Sequence, residues 1–446
     1  PSAEKVCIGE GVDEYDVVDL LMALVDKSMV ATDAARDGTT RYTMLESLRE
    51  FARRQLDEAD ERDVFARRHA EHFADLAGQL QSQQRGGDLG GALARLDQDE
   101  ADYRASLRRT LDVRELTTAG RLIGALGYLW YAAGQHREGL QWCEDLFALD
   151  PDLADEVLAD VLHSHASLLG VMGHVDRGVE ALERQVEIRR RYDDRQRLGA
   201  ALNNLGDWYS ELGRNDDAER VLVEAIGEFR SAGSYGVSLS MSTLAYGRFN
   251  QGQYDQATRD YRESLEEARR ADHAYSIAVA MDGIGRCLLA SGQAAAAKMQ
   301  LVEARERFEE LTIAPGIVNC AIFLGVAERD LGDLQAAARH LLAALTETGI
   351  HWSADAEYWT LQFAASFISD RATAAVLLGA ATAGYERSNI AQPAFVIDEL
   401  HSLRDRLESE LEPEELGRHL RTGGRRTMQE AIDIGRASLT DYLDDQ

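Results

Sequence analysis

The chain has 446 residues and 78 acidic against 48 basic side chains, giving a formal net charge of −30 at pH 7. That charge repels polyanions at long range, so direct contact with nucleic acid is not expected. The cysteines Cys7, Cys143, Cys287 and Cys320 form no CxxC pair and no apolar run reaches about 18 residues, so neither a disulfide scaffold nor a helical membrane span is expected, and the natural compartment is the cytoplasm.

The chain starts at Pro1 without a signal-like stretch and is expected to be a piece of a longer protein. From Tyr15 to Val30 the apolar residues of "VVDLLMALVDKSMV" recur at helical spacing. The next stretch alternates about Asp37-Gly38 in the manner of a β-hairpin, and "LESLREFARRQL" returns to helical spacing. Helix, hairpin and helix make a winged-helix pattern over residues 1–60. Linking helices are expected over 61–115.

The repeat region follows. Gly134, Gly173, Gly213, Gly252, Gly292 and Gly332 stand 39, 40, 39, 40 and 40 residues apart, each between two amphipathic segments. A fixed period of this length means one helical hairpin stacked on copies of itself. Each glycine fits the C-terminal cap of the first helix, where a left-handed backbone costs a residue with a Cβ about 1 kcal/mol or more.

Eight residues before the glycines stand Leu126, His165, Leu205, Leu244, Ile284 and Leu324, each followed by Gly or Ala. Five residues after them stand Gly139, Gly178, Ala218, Ala257, Ala297 and Ala337, and four further on Cys143, Leu182, Leu222, Tyr261, Leu301 and Leu341. Antiparallel helices approach closely only where a small side chain faces a neighbour, and a large apolar residue one turn on fills the groove beside it. Helices of about 16 to 18 residues, roughly 25 Å long, are predicted. A seventh hairpin is expected with helices near Ala354 to Ile368 and Arg371 to Arg387, Ser369-Asp370 replacing the glycine. The array is predicted over 116–390 and capping helices with an acidic tail over 391–446. Of five prolines, Pro151 and Pro315 fall between hairpins and Pro393 and Pro413 between terminal helices, so no predicted helix interior is broken.

"NNLGDWYSELGRNDDAERVLVEAI" and "STLAYGRFNQGQYDQATRDYRESL" resemble the tetratricopeptide repeat, although the period here exceeds its 34 residues. The expected fold is therefore all-α, a right-handed α-solenoid of such hairpins behind a small winged helix with one β-hairpin. "LLMALVDKSMV", "RYTMLESLREFARRQL" and "RRHAEHFADLA" further resemble the bacterial STAND-class ATPase regulators with NB-ARC modules, of the LuxR and SARP type. "RLDQDEADYRASLRRTL" is similar to the helix before that family's repeats, and "RATAAVLLGAATAGYERSN" to its closing helices. The resemblance implies a nucleotide-binding module upstream, a winged helix that transmits its state, and a repeat array that senses. The chain itself has no GxxxxGK[ST] and no lysine after a glycine, so it lacks the phosphate-cradling loop. No cofactor is expected in this chain, and ATP or ADP with Mg belongs to the absent module.

His69 and His72 lie three apart on one helical face beside Glu71, without a third ligand or an HExxH spacing, so helix packing is preferred over a metal site. His163 and His165 fall on different faces. Arg41, Arg49, Arg53 and Arg54 of the winged helix are interspersed with carboxylates. Arg418, Arg421, Arg425 and Arg426 surround Gly423-Gly424, where a solvated loop is expected.

The expected binding surface is a polar, aromatic strip along the first helices of the hairpins, two residues either side of the recurring apolar position. In chain order it takes in Gly124 and Tyr128, His163 and Ser167, Asn203 and Asp207, Ser242 and Tyr246, Asp282 and Arg286, and Ile322 and Val326, with Tyr131, Asn250 and Arg329 one turn on. Polar groups buried without partners cost about 1 to 3 kcal/mol each, so such a strip is more easily explained as a groove than as packing. The reading is a non-catalytic sensor arm that takes a protein or small-molecule effector in this groove and answers to the parent's own nucleotide-binding module. The alternative is a free-standing scaffold binding a peptide or protein. No nucleophile, base and orienter group together at spacings that would support an enzyme.

Overall fold

The computed structural model describes residues 2–8, 12–34, 40–85, 88–347, 354–388 and 391–445. The chain divides into two units, residues 1–130 with 137–164, and residues 131–136 with 165–446. The first holds α1 (Ser2–Val6), α2 (Glu14–Asp26), β1 (Val30–Ala34), β2 (Thr40–Met44), α3 (Glu46–Glu58), α4 (Arg62–Arg85), α5 (Leu89–Gln98) and α6 (Glu100–Asp112). It also holds most of α7 (Leu116–Ala132) and α8 (His136–Ala148), and α9 (Asp155–Val171) runs from it into the second unit.

In the first unit Asp13 caps α2 with a full capping box, its carboxylate taking the amides of Tyr15 and Asp16. Strands β1 and β2 pair antiparallel, Val30 opposite Met44 through to Ala34 opposite Thr40. The turn expected at Asp37-Gly38 lies outside the described residues. Helix α4 packs on α6 around Phe73 and Tyr103, whose rings meet edge to face at 5.3 Å. His69 is held here by Asp102 and Ser106, each 3.1 Å from a ring nitrogen. Among the described residues no group of three or more His, Cys, Asp or Glu is placed to hold a metal. No described helix is long and apolar enough to cross a membrane.

The second unit is a tetratricopeptide-like solenoid. It continues with α10 (Val175–Arg189), α11 (Arg195–Glu211), α12 (Asn215–Ser231), α13 (Gly236–Asn250), α14 (Tyr254–Arg270), α15 (Ala274–Ala290) and α16 (Ala294–Glu310). Next come α17 (Ala314–Asp330), α18 (Leu334–Glu347), α19 (Ala354–Phe367), α20 (Arg371–Ser388), α21 (Ala394–Glu410), α22 (Pro413–Gly424) and α23 (Met428–Asp444). In each hairpin from α11/α12 to α19/α20 the odd-numbered helix is the first.

The repeat chemistry works as the spacing demands. All six period glycines are left-handed, with φ between 70° and 87°. A Cβ on Gly206 would stand 2.5 Å from Leu222, on Gly285 2.7 Å from Leu301, and on Gly325 2.8 Å from Leu341, so each hairpin closes small against large. The alternate turns, between hairpins, also use left-handed residues, but of several types: Gly233, Asp272 and Thr312. Aspartate tolerates that conformation better than branched residues do. In the seventh hairpin the Asp370 carboxylate accepts from the Thr373 amide at 3.1 Å, so a side-chain cap takes over where the glycine is lost.

The basic cluster near the end is only in part the expected loop: Arg418 and Arg421 are helical, and Arg425 and Arg426 lie in the turn after α22. Residues 413–424 are helical through Gly423-Gly424, because Gly423 of α22 and Gly379 of α20 bring the two backbones too close for a Cβ on either. Helix α23 then lays Gly435 against Leu345, Leu361 and Leu377 and closes the last hairpin.

Candidate functional site

The expected strip divides along the chain. Tyr128, exposed, and His163, half-buried, belong to the first unit, and half-buried Tyr131 to the second. From Asn203 on, the strip residues lie on α11, α13, α15 and α17 of the second unit, and their surroundings change along the array.

On α11, Asn203 and Asp207 are half-buried, and the Asn203 amide oxygen accepts from the Ser240 hydroxyl at 2.9 Å. Tyr246 and Asn250 of α13 are also half-buried. Ser242 points away from the strip: it is buried and meets Ser264 of α14 at 2.8 Å, while Ser264 donates to the Ser238 carbonyl.

Further along, the strip is not open. Asp282 and Arg286 retain 4% and 8% of their exposure and form an ion pair with each other at 3.0 Å. This corrects the expectation of solvated groove positions: Ala280–Cys287 are buried without a break in α15, and Cys320–Glu328 in α17. A first helix flanked by its own second helix and two neighbours has only one free side, and on α17 that side is covered. Burial pushes the Asp282 carboxyl above the usual range, against the pull of Arg286. Burial disfavours the Arg286 charge, but the Asp282 carboxylate outweighs it, and the guanidinium stays protonated. Its centre lies 5.4, 5.7 and 5.5 Å from the rings of Tyr246, Phe249 and Phe323.

The cover is residues 391–411 of the same chain. The Ala391 amide donates to the carbonyl of Glu211, the last residue of α11, at 2.8 Å. Phe395 then enters a ring of phenylalanines, with centroid distances of 6.4 Å to Phe249 on α13, 6.2 Å to Phe323 on α17 and 6.1 Å to Phe363 on α19. Gln362 of α19 donates to the Val396 carbonyl at 2.7 Å. Arg329, the last strip residue, is engaged by Glu399 through two hydrogen bonds of 2.6 and 2.8 Å. Arg406 donates to the carbonyls of Ser366 and Ala365, which the last turn of α19 leaves unpaired. Segment 391–411 thus crosses the C-terminal ends of α11, α13, α17 and α19.

Of the winged-helix arginines, Arg49 meets Glu46 at 3.0 Å and Arg53 meets Glu50 at 3.7 Å within α3, while Arg41 meets Asp99, between α5 and α6, at 3.2 Å. The sequence reading missed Phe249, Phe323, Phe363, Phe395 and Glu399. The available signal was Phe395, two residues after Pro393, with Glu399 one helical turn on.

Comparison with known proteins agrees with this architecture. Residues 157–227 and 237–310 match the family model of the tetratricopeptide repeat, and residues 2–57 that of a winged helix-turn-helix domain. Proteins of Mycobacterium bovis and Mycobacterium tuberculosis that are named as HTH-type transcriptional regulators are 34% identical over 141 residues. That stretch is 32% of this chain and spans 16% of the relatives' length. A crystal structure of NprR in complex with its cognate peptide NprX superposes with a TM-score of 0.52 at 15% identity, covering 78% of this chain and 98% of that one. A Rap protein complexed with competence and sporulation factor has a TM-score of 0.49 at 13% identity, covering 75% and 98%. The chain thus carries tetratricopeptide repeats behind an N-terminal winged helix, and one stretch of it is similar to named transcriptional regulators.

Proposed function

We propose that this chain is the non-catalytic sensor arm of a bacterial transcriptional regulator of the STAND class, in which the repeat array takes a peptide or protein effector and the winged helix passes its binding to a nucleotide-binding module. The observation that carries the reading is the order of the parts, a winged helix followed by tetratricopeptide repeats, in a chain that shares a stretch with named transcriptional regulators. The proposed surface lies on α11, α13, α17 and α19, and Asn203, Asp207, Tyr246, Asn250 and Arg329 are its polar contacts. NprR, of related fold, holds a peptide in its solved complex, which supports a peptide-like effector here. Binding shifts such a regulator only as far as the effector's affinities for its two states differ.

Two measurements test this. The coding DNA upstream of Pro1 should carry a GxxxxGK[ST] motif in the same frame; a start codon at that position would favour the free-standing scaffold instead. Peptides selected from a displayed library against the full chain should protect amides of α11 and α13 from exchange. Protection confined to α12, α14 and α16 would remove the first-helix surface from the account.

A further inference from the structure

We infer that residues 391–411 are a displaceable, built-in occupant of the binding surface, and that the effector is a segment of the same chemistry: an aromatic residue followed, one helical turn on, by a carboxylate. The inference rests on the proposed effector surface and names its ligand class.

Two features describe the site that this segment fills. The first is a pocket of three phenylalanines, Phe249, Phe323 and Phe363, from three different helices, converging on one ring, Phe395. The second is Arg329, whose guanidinium meets the Glu399 carboxylate through both terminal nitrogens, the geometry by which arginine selects a carboxylate. In a chain with 78 acidic and 48 basic residues, an arginine presented at the end of α17 favours an anionic group where the rest of the molecule repels one. Phe395 and Glu399 stand four apart on α21, so a single turn of helix satisfies both features.

The fit is incomplete, as expected of an occupant that can leave. The Gln362 amide spends its nitrogen on the Val396 carbonyl, but its own oxygen is buried without a hydrogen-bond partner. The Trp359 indole nitrogen, beside Phe323, is also buried and unpaired, and so is Nε of Arg286, which lies over the same Phe249 and Phe323 rings that receive Phe395. The Gln362 oxygen, on a side chain that touches the segment, forfeits a hydrogen bond that a better ligand could make. Of the 17 residues of α21 only Phe395, Val396, Leu403 and Leu407 are buried, whereas α22 is locked onto α20 at Gly379 and Gly423. The segment can therefore swing out while both its ends stay anchored.

The test uses the full chain and a fluorescent synthetic peptide of residues 391–411 as probe. A closed site reduces apparent affinity by the fraction of time it is open, so opening the strap should tighten binding. The doubly substituted chain Phe395→Ala with Glu399→Ala should bind the peptide at least about ten-fold more tightly than the unaltered chain. The milder Glu399→Gln, which keeps size and helix propensity, should give a smaller increase, and adding Arg329→Ala should abolish it. Equal binding by the unaltered and opened chains, or no binding to a Glu399→Gln chain of unchanged helicity, overturns the inference. Binding of this probe does not depend on the natural effector, so the strap can be upheld while the sensor reading fails, and the reverse.

Discussion

Arg329, at the C-terminal end of α17, holds Glu399 of α21 through two hydrogen bonds of 2.6 and 2.8 Å, with side chains 22% and 20% exposed. A charge-assisted pair of this kind is worth about 1.5–3 kcal/mol. Arg329→Ala should therefore loosen α21 without unfolding the array. Trypsin cleavage after Arg404 should quicken by about ten-fold or more, as that free energy implies for local opening, while the global unfolding midpoint moves little. An unchanged cleavage rate would show that Phe395 alone seats the segment.

Asp282 and Arg286 form a buried pair, and removing one member strands the other in a desolvated site. Asp282→Ala should cost about 3–5 kcal/mol in urea unfolding, whereas the double change Asp282→Leu with Arg286→Met should recover most of that loss. If the single variant costs no more than the double, the pair does not stabilise the array.

Ala257 is fully buried, at the position where each second helix approaches the first. Ala257→Leu should overpack the α13/α14 hairpin by about 1–3 kcal/mol, read as a lower melting temperature.

Much of this fold is legible in the sequence because its determinants are local. The glycine period, the left-handed turn and the pairing of Gly206 with Leu222 all lie within one hairpin, at fixed offsets. The strap is not legible in that way. Phe395 meets Phe249, and Glu399 meets Arg329, across several repeats, and no spacing rule connects them. Asp282 and Arg286 read as groove positions because charged residues are rarely buried, yet they satisfy each other inside. Gly423-Gly424 suggests a loop until Gly379 is seen to pack against it.

Asp370 caps α20, and the Thr373 hydroxyl and amide that donate to it hold its carboxyl below the usual carboxylate range. A carboxyl depressed in the folded chain contributes stability above the unfolded value, which is lost as pH falls through the folded one. Asp370→Ala should cost about 1 kcal/mol at neutral pH. The difference from the unaltered chain should shrink below about pH 4. A difference that grows in acid would contradict the cap.

The most direct test of the central claim is native-state hydrogen exchange of the unaltered chain, resolved by segment. Separable occupancy predicts that amides of residues 394–410 open at least about ten-fold more readily than those of residues 371–388 and 413–424, in a unit of their own. If α21 opens only together with α20 and α22, the segment is an inseparable part of the array and the account of a built-in occupant is wrong.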